Sequence, residues 1–378
     1  MNARGTPSHT FSRDGHKLRI CVVGPLAPPS GGMASQCAQL VQLLRAEGLQ
    51  VDLVQTNAPL RPAWLERIPV LRAMVRILPY TLHLWRACGR ADVVHVLANS
   101  GWAWHLFAAP AIAIAQWRGV ATIVNYHGGN ADAFWAQAPG YVLRMLASAS
   151  LRVMPSAFLL RVSAKYGLQA EVIPNTIDLT RFRPAPSGAR GDAPHVVVTR
   201  NLEAIYGIDV AIRAFARVRQ SCATARMTIA GSGPERERLQ ALAEDIGLGS
   251  AICFAGRIDN AEIAQLYASA TCLLNPSTVD NMPISILEAF ACGVPVVSTS
   301  VGGVPDMLQD GVCGLLVPVG DEAAMADTVL RILRCPTLAE NLRQAGLAEA
   351  QKYSWPQVRA QWLHAYRRAA ARPGQGSA

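Results

Sequence analysis

A chain of 378 residues, 51% hydrophobic and 16% charged, has room for two domains with large cores, which excludes a largely disordered polypeptide. Its formal net charge of +9 calls for a partner, yet no nucleic-acid-binding motif accompanies the charge, so DNA and RNA are set aside. The nine cysteines include no Cys-x-x-Cys pair, and no His/Cys cluster has metal-ligand spacing; this argues against a disulfide scaffold or a zinc site and for a reducing compartment, the cytoplasm.

Residues 1–17 are polar and unpatterned and are expected to form a loose tail. The first apolar run, Leu18–Gly24, is too short for a secretory signal core. Strands are expected at Leu18–Val23, Val51–Gln55, Val93–Val96, Thr122–Tyr126, Leu151–Met154 and Glu171–Ile173, with helical patterns between them. Between the second and third lies Arg61–Arg90, where Arg61, Arg67, Arg72, Arg76, Arg86 and Arg90 alternate with Trp64, Leu71, Leu78, Leu82 and Trp85. Basic and apolar positions at helical spacing suit an anionic membrane surface, and equally a helical hairpin with a solvated basic face. The longest apolar stretch, Trp102–Trp117, falls short of the roughly 20 residues needed to span a bilayer and reads as a buried helix.

A Pro/Gly-rich break at Arg183–Pro194 marks the expected linker. The rhythm then restarts, with strands expected at His195–Thr199, Ala225–Ala230, Ala251–Ala255, Thr271–Asn275, Val294–Ser298 and Gly314–Val317. Helices are expected at Gly207–Gln220, Glu235–Ile246, Asp259–Ser269 and Ser285–Cys292. The fold class is therefore α/β, two Rossmann-like parallel-sheet domains facing each other across a cleft where a ligand would meet strand C-terminal ends. The expected division is a tail at 1–17, domains at 18–186 and 187–354, an amphipathic helix at 355–369 packing back toward the first domain, and a tail at 370–378.

Several loops carry candidate chemistry. Gly31 and Gly32 open a helix after the first strand, where bare backbone can approach a phosphate; the Pro28-Pro29 pair there argues against a nicotinamide-binding turn. His127 ends the fourth strand in Asn-Tyr-His-Gly-Gly and could donate a hydrogen bond or move a proton near neutral pH. Arg200 ends the first strand of the second half, where its planar fork suits a diphosphate. Gly231-Ser232-Gly233-Pro234 is a generic tight turn. In Asn275–Val297, Asp280 and Glu288 are separated by seven residues that include Asn281, Met282 and Ile284 at a helix start. Amides there can hold phosphate oxygens while carboxylates accept from sugar hydroxyls. A plainly capped helix explains the same residues, and on them alone the two readings are about even.

Taken in order, these motifs resemble those of a retaining glycosyltransferase of the GT4 group with the GT-B fold. The resemblance rests on the early Gly-Gly loop, His127-Gly128-Gly129, Pro174–Asp178, Ala230–Pro234, Phe254–Arg257, Asn275-Pro276-Ser277, Leu287–Val297, Gly302-Gly303 and Asp310-Gly311, and covers about residues 18–368. It implies that Gly31 and Gly32 approach a donor diphosphate, that Arg200 pairs with it, and that Gly231 lies in the donor-binding turn. It further implies that Asp280 contacts donor-sugar hydroxyls and that the amides of Asn281, Met282 and Ile284 line sugar and phosphates. Glu288 would hold the nucleoside ribose, Arg257 and Ile258 would contact the base, and His127 would sit near the reacting carbon.

Two departures stand out. The first acid is Asp rather than the family's Glu, and Tyr206 occupies the place before Gly207 where the family often has lysine. The implied activity is transfer of a hexose-type sugar from a nucleotide diphosphate sugar to a hydroxyl of a lipid-linked or polysaccharide acceptor in glycan or exopolysaccharide assembly. No metal or cofactor is expected. The implied location is cytoplasmic, with peripheral membrane contact through residues 61–90. The alternative is a non-catalytic nucleotide-sugar-binding subunit of a membrane synthase. A related epimerase or phosphorylase, and a nicotinamide oxidoreductase, fit less well.

Overall fold

Runs such as Ile20-Cys21-Val22-Val23 and Val196-Val197-Val198 are apolar on both faces, so they favour strands covered by helices on each side. The computed structural model describes residues 17–28, 31–58, 69–185, 191, 193–258 and 262–371, with 69–75 described by backbone alone. The chain divides into two compact units between Pro174 and Asn175, and residues from Val358 onward belong to the first. Among the described residues each unit holds one six-stranded sheet, and every strand pair is parallel.

The first sheet comprises β1 (Arg19–Gly24), β2 (Gln50–Gln55), β3 (Val93–Ala98), β4 (Ala121–Tyr126), β5 (Leu151–Met154) and β6 (Glu171–Val172), in the order β2-β1-β3-β4-β5-β6. The second comprises β7 (His195–Val198), β8 (Arg226–Ala230), β9 (Ile252–Gly256), β10 (Cys272–Asn275), β11 (Val296–Thr299) and β12 (Leu315–Val317), in the order β12-β11-β10-β7-β8-β9. Each expected strand is present, with bounds shifted by a residue or two.

The division at Pro174 precedes the Pro/Gly-rich segment where the linker was expected. The reason is packing. Ile177 bridges to Ser354 and donates its amide to the Tyr353 carbonyl at 2.9 Å, and Phe182 meets the Tyr267 ring edge-on at 6.2 Å. Residues 175–182 are thus already built into the second unit. Within 183–194, positions 186–190 and 192 lie outside the described residues.

The stretch expected as a buried helix is buried only in its middle. Trp104 is fully buried, whereas Trp102 and Trp117 are each 78% exposed. Pro110 has no amide proton to donate, and the preceding Ala109 amide reaches back to the Trp104 carbonyl, so the run opens as a π-turn at Trp104–Ala108 before the α-helix Ala109–Trp117. Of the basic segment, positions 61–68 lie outside the described residues. Helix Pro69–Cys88 buries Tyr80, Leu84, Ala87 and Cys88 and exposes Leu78 and Leu82. Among the described residues no helix is long and apolar enough to cross a membrane.

The last helix, Trp355–Ala371, runs two residues beyond its expected end, so positions 370 and 371 are helical rather than part of a tail; 372–378 lie outside the described residues. It buries Val358, Trp362, Leu363, Ala365, Tyr366 and Ala369. His95 of β3 anchors it: the imidazole lies 4.8 Å from the Trp362 ring, and its Nδ1 is 2.6 Å from the Tyr366 hydroxyl. Ion pairs Arg359–Glu47 at 2.8 Å and Arg368–Glu171 at 2.5 Å flank this contact. Trp362→Ala is expected to destabilise the first unit by about 3–5 kcal/mol, as large cavities in packed cores do; urea unfolding followed by circular dichroism measures it.

Candidate functional site

In the second sheet β7 lies between β8 and β10, so the chain leaves β7 toward one side and β10 toward the other. Such a reversal of strand order opens a crevice at the strand C-terminal ends. Arg200 follows β7 and Asp280 follows β10. The Arg200 Nη2 donates to Asp280 Oδ2, with side-chain exposures of 13% and 10%. The Tyr206 ring covers one face of the guanidinium, 4.2 Å from its central carbon.

Local backbone sets this geometry. Tyr206 ends the short 3-10 turn Ala204–Tyr206, and Gly207 follows in the left-handed conformation with φ 57°. A Cβ at Gly207 would stand 2.4 Å from the Pro276 carbonyl oxygen, so only glycine lets the β7 loop lie against the β10 loop. Thr278 ties the same loops by donating its amide and hydroxyl to the Ile205 carbonyl at 2.8 and 2.9 Å. Beneath Asp280, buried Asn275 donates to the Ser298 hydroxyl at 3.0 Å, and Thr299 donates to the Ser277 carbonyl at 2.5 Å. This satisfied polar layer fixes the loop after β10 to the end of β11.

Asn281 does not present a free amide as expected, because it donates to Asp280 Oδ1 at 3.0 Å. Met282 is buried and its carbonyl accepts from Asn175 at 3.4 Å. Ile284 opens the helix Ile284–Ala291, whose buried Ser285 hydroxyl has no partner. Glu288, half-buried on this helix, accepts from the Tyr267 hydroxyl at 2.9 Å, which is also 2.7 Å from Thr199. Burial pushes the Glu288 carboxyl up to about 7, against the Tyr267 hydrogen bond and the positive charges of Arg181 and Arg200. Burial and the neighbouring carboxylate hold the Tyr267 phenol well above its ordinary range, so it keeps its proton and donates.

Gly231 packs against the same loop: a Cβ there would fall 1.9 Å from the Arg200 carbonyl oxygen. Its role is close packing that positions Arg200. Arg257, exposed at the end of β9, donates to the Ser232 hydroxyl at 3.2 Å; Ile258 beside it is half-buried. The second unit thus brings Arg200, Tyr206, Gly231, Asp280, Asn281 and Met282 together, with Glu288 joined through Tyr267 and Thr199, and Arg257 through Ser232. Sequence reading missed Tyr267. Nothing local marks a tyrosine on helix Glu262–Ser269 as the partner of a later glutamate.

The first unit carries the remaining candidates. Gly31 is the extended residue preceding helix Gly32–Ala46, and Gly32 is exposed. Asn57 clasps the approach to it, accepting from the Leu26 amide at 2.9 Å and donating to the Leu26 and Pro28 carbonyls at 2.6 and 3.0 Å. His127 follows β4, and its Nε2 is buried without a partner, as is Asn125 Oδ1. Burial lowers the His127 imidazole to about 4, so it is neutral near pH 7. Among the described residues no group of three or more His, Cys, Asp or Glu side chains gathers as a metal site.

Two outcomes follow from this geometry. Gly231→Ala should cost about 2–4 kcal/mol because backbone must move, whereas Gly31→Ala, with nothing within 4 Å of the added carbon, should cost within about 1 kcal/mol; thermal and urea unfolding compare them. The folded state holds a proton on Glu288 up to about 7, while the unfolded chain releases it near 4.5. Stability should therefore fall as pH rises from 4.5 to about 7 and level above it. Glu288→Gln should remove that part of the fall, as read from urea midpoints across this range.

Known proteins show the same organisation. Glycosyltransferase Family 4 matches residues 30–181 and Glycosyl transferases group 1 matches residues 181–348. The D-inositol 3-phosphate glycosyltransferase of Acidothermus cellulolyticus is 33% identical over 226 residues, 54% of this chain and 50% of that protein. The chain therefore spans about half the length of that relative. The phosphatidyl-myo-inositol mannosyltransferase of Mycobacterium leprae is 28% identical over 374 residues, 91% of this chain and 96% of that protein. Among solved structures, Anabaena Alr3699/HepE in complex with UDP and glucose aligns with a TM-score of 0.72 at 18% identity, covering 92% of this chain and 99% of that one. With the two family matches laid end to end along the two sheets, the chain belongs to the GT4 group of glycosyltransferases and has the GT-B fold.

Proposed function

We propose that the protein transfers a hexose-type sugar from a nucleotide diphosphate sugar to an acceptor hydroxyl, with the anomeric configuration retained. One observation carries this reading: a mostly buried arginine and aspartate meet at the strand-order reversal of the second sheet, beside a helix start and a half-buried glutamate. The cation suits a pyrophosphate, and the carboxylates accept from hydroxyls of sugar and ribose. Arg200, Arg257 and the amides at Ile284 would stabilise the charge growing on the leaving diphosphate, without a metal or cofactor. The bond from the anomeric carbon to phosphate oxygen breaks as the acceptor oxygen bonds on the same face, and the leaving phosphate takes the acceptor proton. His127, neutral near pH 7, would hydrogen-bond near the reacting carbon, and Gly31 and Gly32 offer bare backbone to phosphate.

In this reading the second unit holds the donor and the first the acceptor. A lipid-linked or polymeric sugar fits the first unit best. Helix Pro69–Cys88 exposes Leu78 and Leu82, and Arg118 lies over the Trp85 ring, which meets exposed Trp117 at a tilt, 4.5 Å between ring centres. Apolar and cationic groups side by side suit peripheral contact with the cytoplasmic face of a membrane. The M. leprae relative, whose name specifies a phosphatidylinositol acceptor, agrees with a lipid acceptor. Tyr206 in place of lysine favours a second reading, a sugar-nucleotide-binding subunit without turnover.

The test is to incubate the protein with UDP-, GDP- and ADP-sugars and membrane extract and measure nucleotide release and glycan product. Release that both Asp280→Ala and Glu288→Ala abolish supports the transferase. Binding without release supports the subunit reading, and release surviving both substitutions removes the assigned site.

A further inference from the structure

A guanidinium is a permanent cation, so Arg200 needs a counter-ion where water is largely excluded. Asp280 is that counter-ion. The Arg200 Nε is buried and has no partner, so the guanidinium has donor capacity that the aspartate does not use. Its face rests on Tyr206. The ring has anchors besides the arginine: Gly207, whose amide donates to the Ala204 carbonyl at 3.2 Å, and the Thr278–Ile205 ties set the backbone at residue 206, and Tyr206 packs against the core of the second unit. Asp280, for its part, keeps the Asn281 amide on its other oxygen and retains a partner if the arginine leaves.

We propose that Tyr206 is a fixed shelf on which Arg200 exchanges counter-ions, leaving Asp280 for the diphosphate of an incoming nucleotide, so that Asp280 competes with the anion the site binds. This rests on the nucleotide-sugar reading above and deepens it. An aromatic face holds a guanidinium through its π-system whichever anion meets its edge, so the shelf serves both states. The exchange has a consequence for the sugar. Asp280 becomes a free acceptor for sugar hydroxyls only once the diphosphate has taken Arg200. Where the family often places a lysine, this chain places a ring that orients Arg200.

The experiment is calorimetric titration of UDP, GDP and ADP, and of the matching nucleosides, into wild type, Asp280→Asn, Tyr206→Phe and Tyr206→Leu. Asp280→Asn should bind the preferred diphosphate about 3–10-fold tighter than wild type, with nucleoside affinity unchanged and sugar transfer lost. Tyr206→Leu should bind it about 5–10-fold more weakly, while Tyr206→Phe, which keeps the ring, stays within about twofold. Equal or weaker diphosphate binding by Asp280→Asn, or wild-type binding by Tyr206→Leu, would overturn the proposal. Wild type that binds none of the nucleotides would instead overturn the donor-site reading. Should Asp280→Asn fail to fold by circular dichroism, Asp280→Ser takes its place, and the Tyr206 pair decides the shelf by itself.

Discussion

A permanently charged guanidinium, mostly withdrawn from water at the end of the central strand of the second sheet, is the constraint around which that unit is organised. Arg200 is stabilised from two directions, by a carboxylate at its edge and an aromatic ring on its face. Neither would suffice alone: an isolated buried ion pair repays its desolvation poorly, and a single cation–π contact contributes about 0.5–2 kcal/mol. Much of the surrounding loop structure serves to keep these three groups in register. Gly207 brings the β7 loop against the β10 loop, Gly231 allows the β8 turn to close on Arg200 from below, and the Asn275–Ser298–Thr299 layer pins the loop that carries Asp280.

The second acid is placed by different means. Glu288 rides on an apolar helix whose other side chains fill the core, so its own partial burial follows from that packing. Tyr267 offsets the cost with one hydrogen bond, and burial still wins, leaving a carboxyl that takes up a proton near neutrality. Asp280 and Glu288 are thus unlike acids. One is held against a cation and the other against a phenol, which accords with proposed roles toward sugar hydroxyls and ribose.

The first unit repeats the architecture with different content. Its strand order also reverses, between β1 and β3; the loop after β1 presents glycines, and the loop after the neighbouring β4 a neutral histidine. His95, Asn125 and His127 each leave a buried polar atom unpartnered along β3 and the end of β4. His95 nonetheless secures the last helix through Tyr366 and Trp362. A chain that ends by packing a helix on its own first unit links residues far apart in sequence, as the Arg368–Glu171 pair also does.

The sequence by itself determined the strands, the parallel α/β class, the loops that carry Arg200, Asp280 and His127, and the helix that carries Glu288. Hydrophobic periodicity and glycine placement are local properties, and the spacing of the motifs follows the chain. Only tertiary structure decided that Arg200 pairs with Asp280, that Tyr206 lies beneath it, that Tyr267 meets Glu288, and that the units divide before residue 175. Three of these join segments far apart along the chain, while Arg200 and Tyr206 share one loop whose path Gly207 and the Thr278 ties set. Their meeting depends on which strands lie side by side and how closely glycine lets the loops approach, and no stretch of consecutive residues encodes that distance.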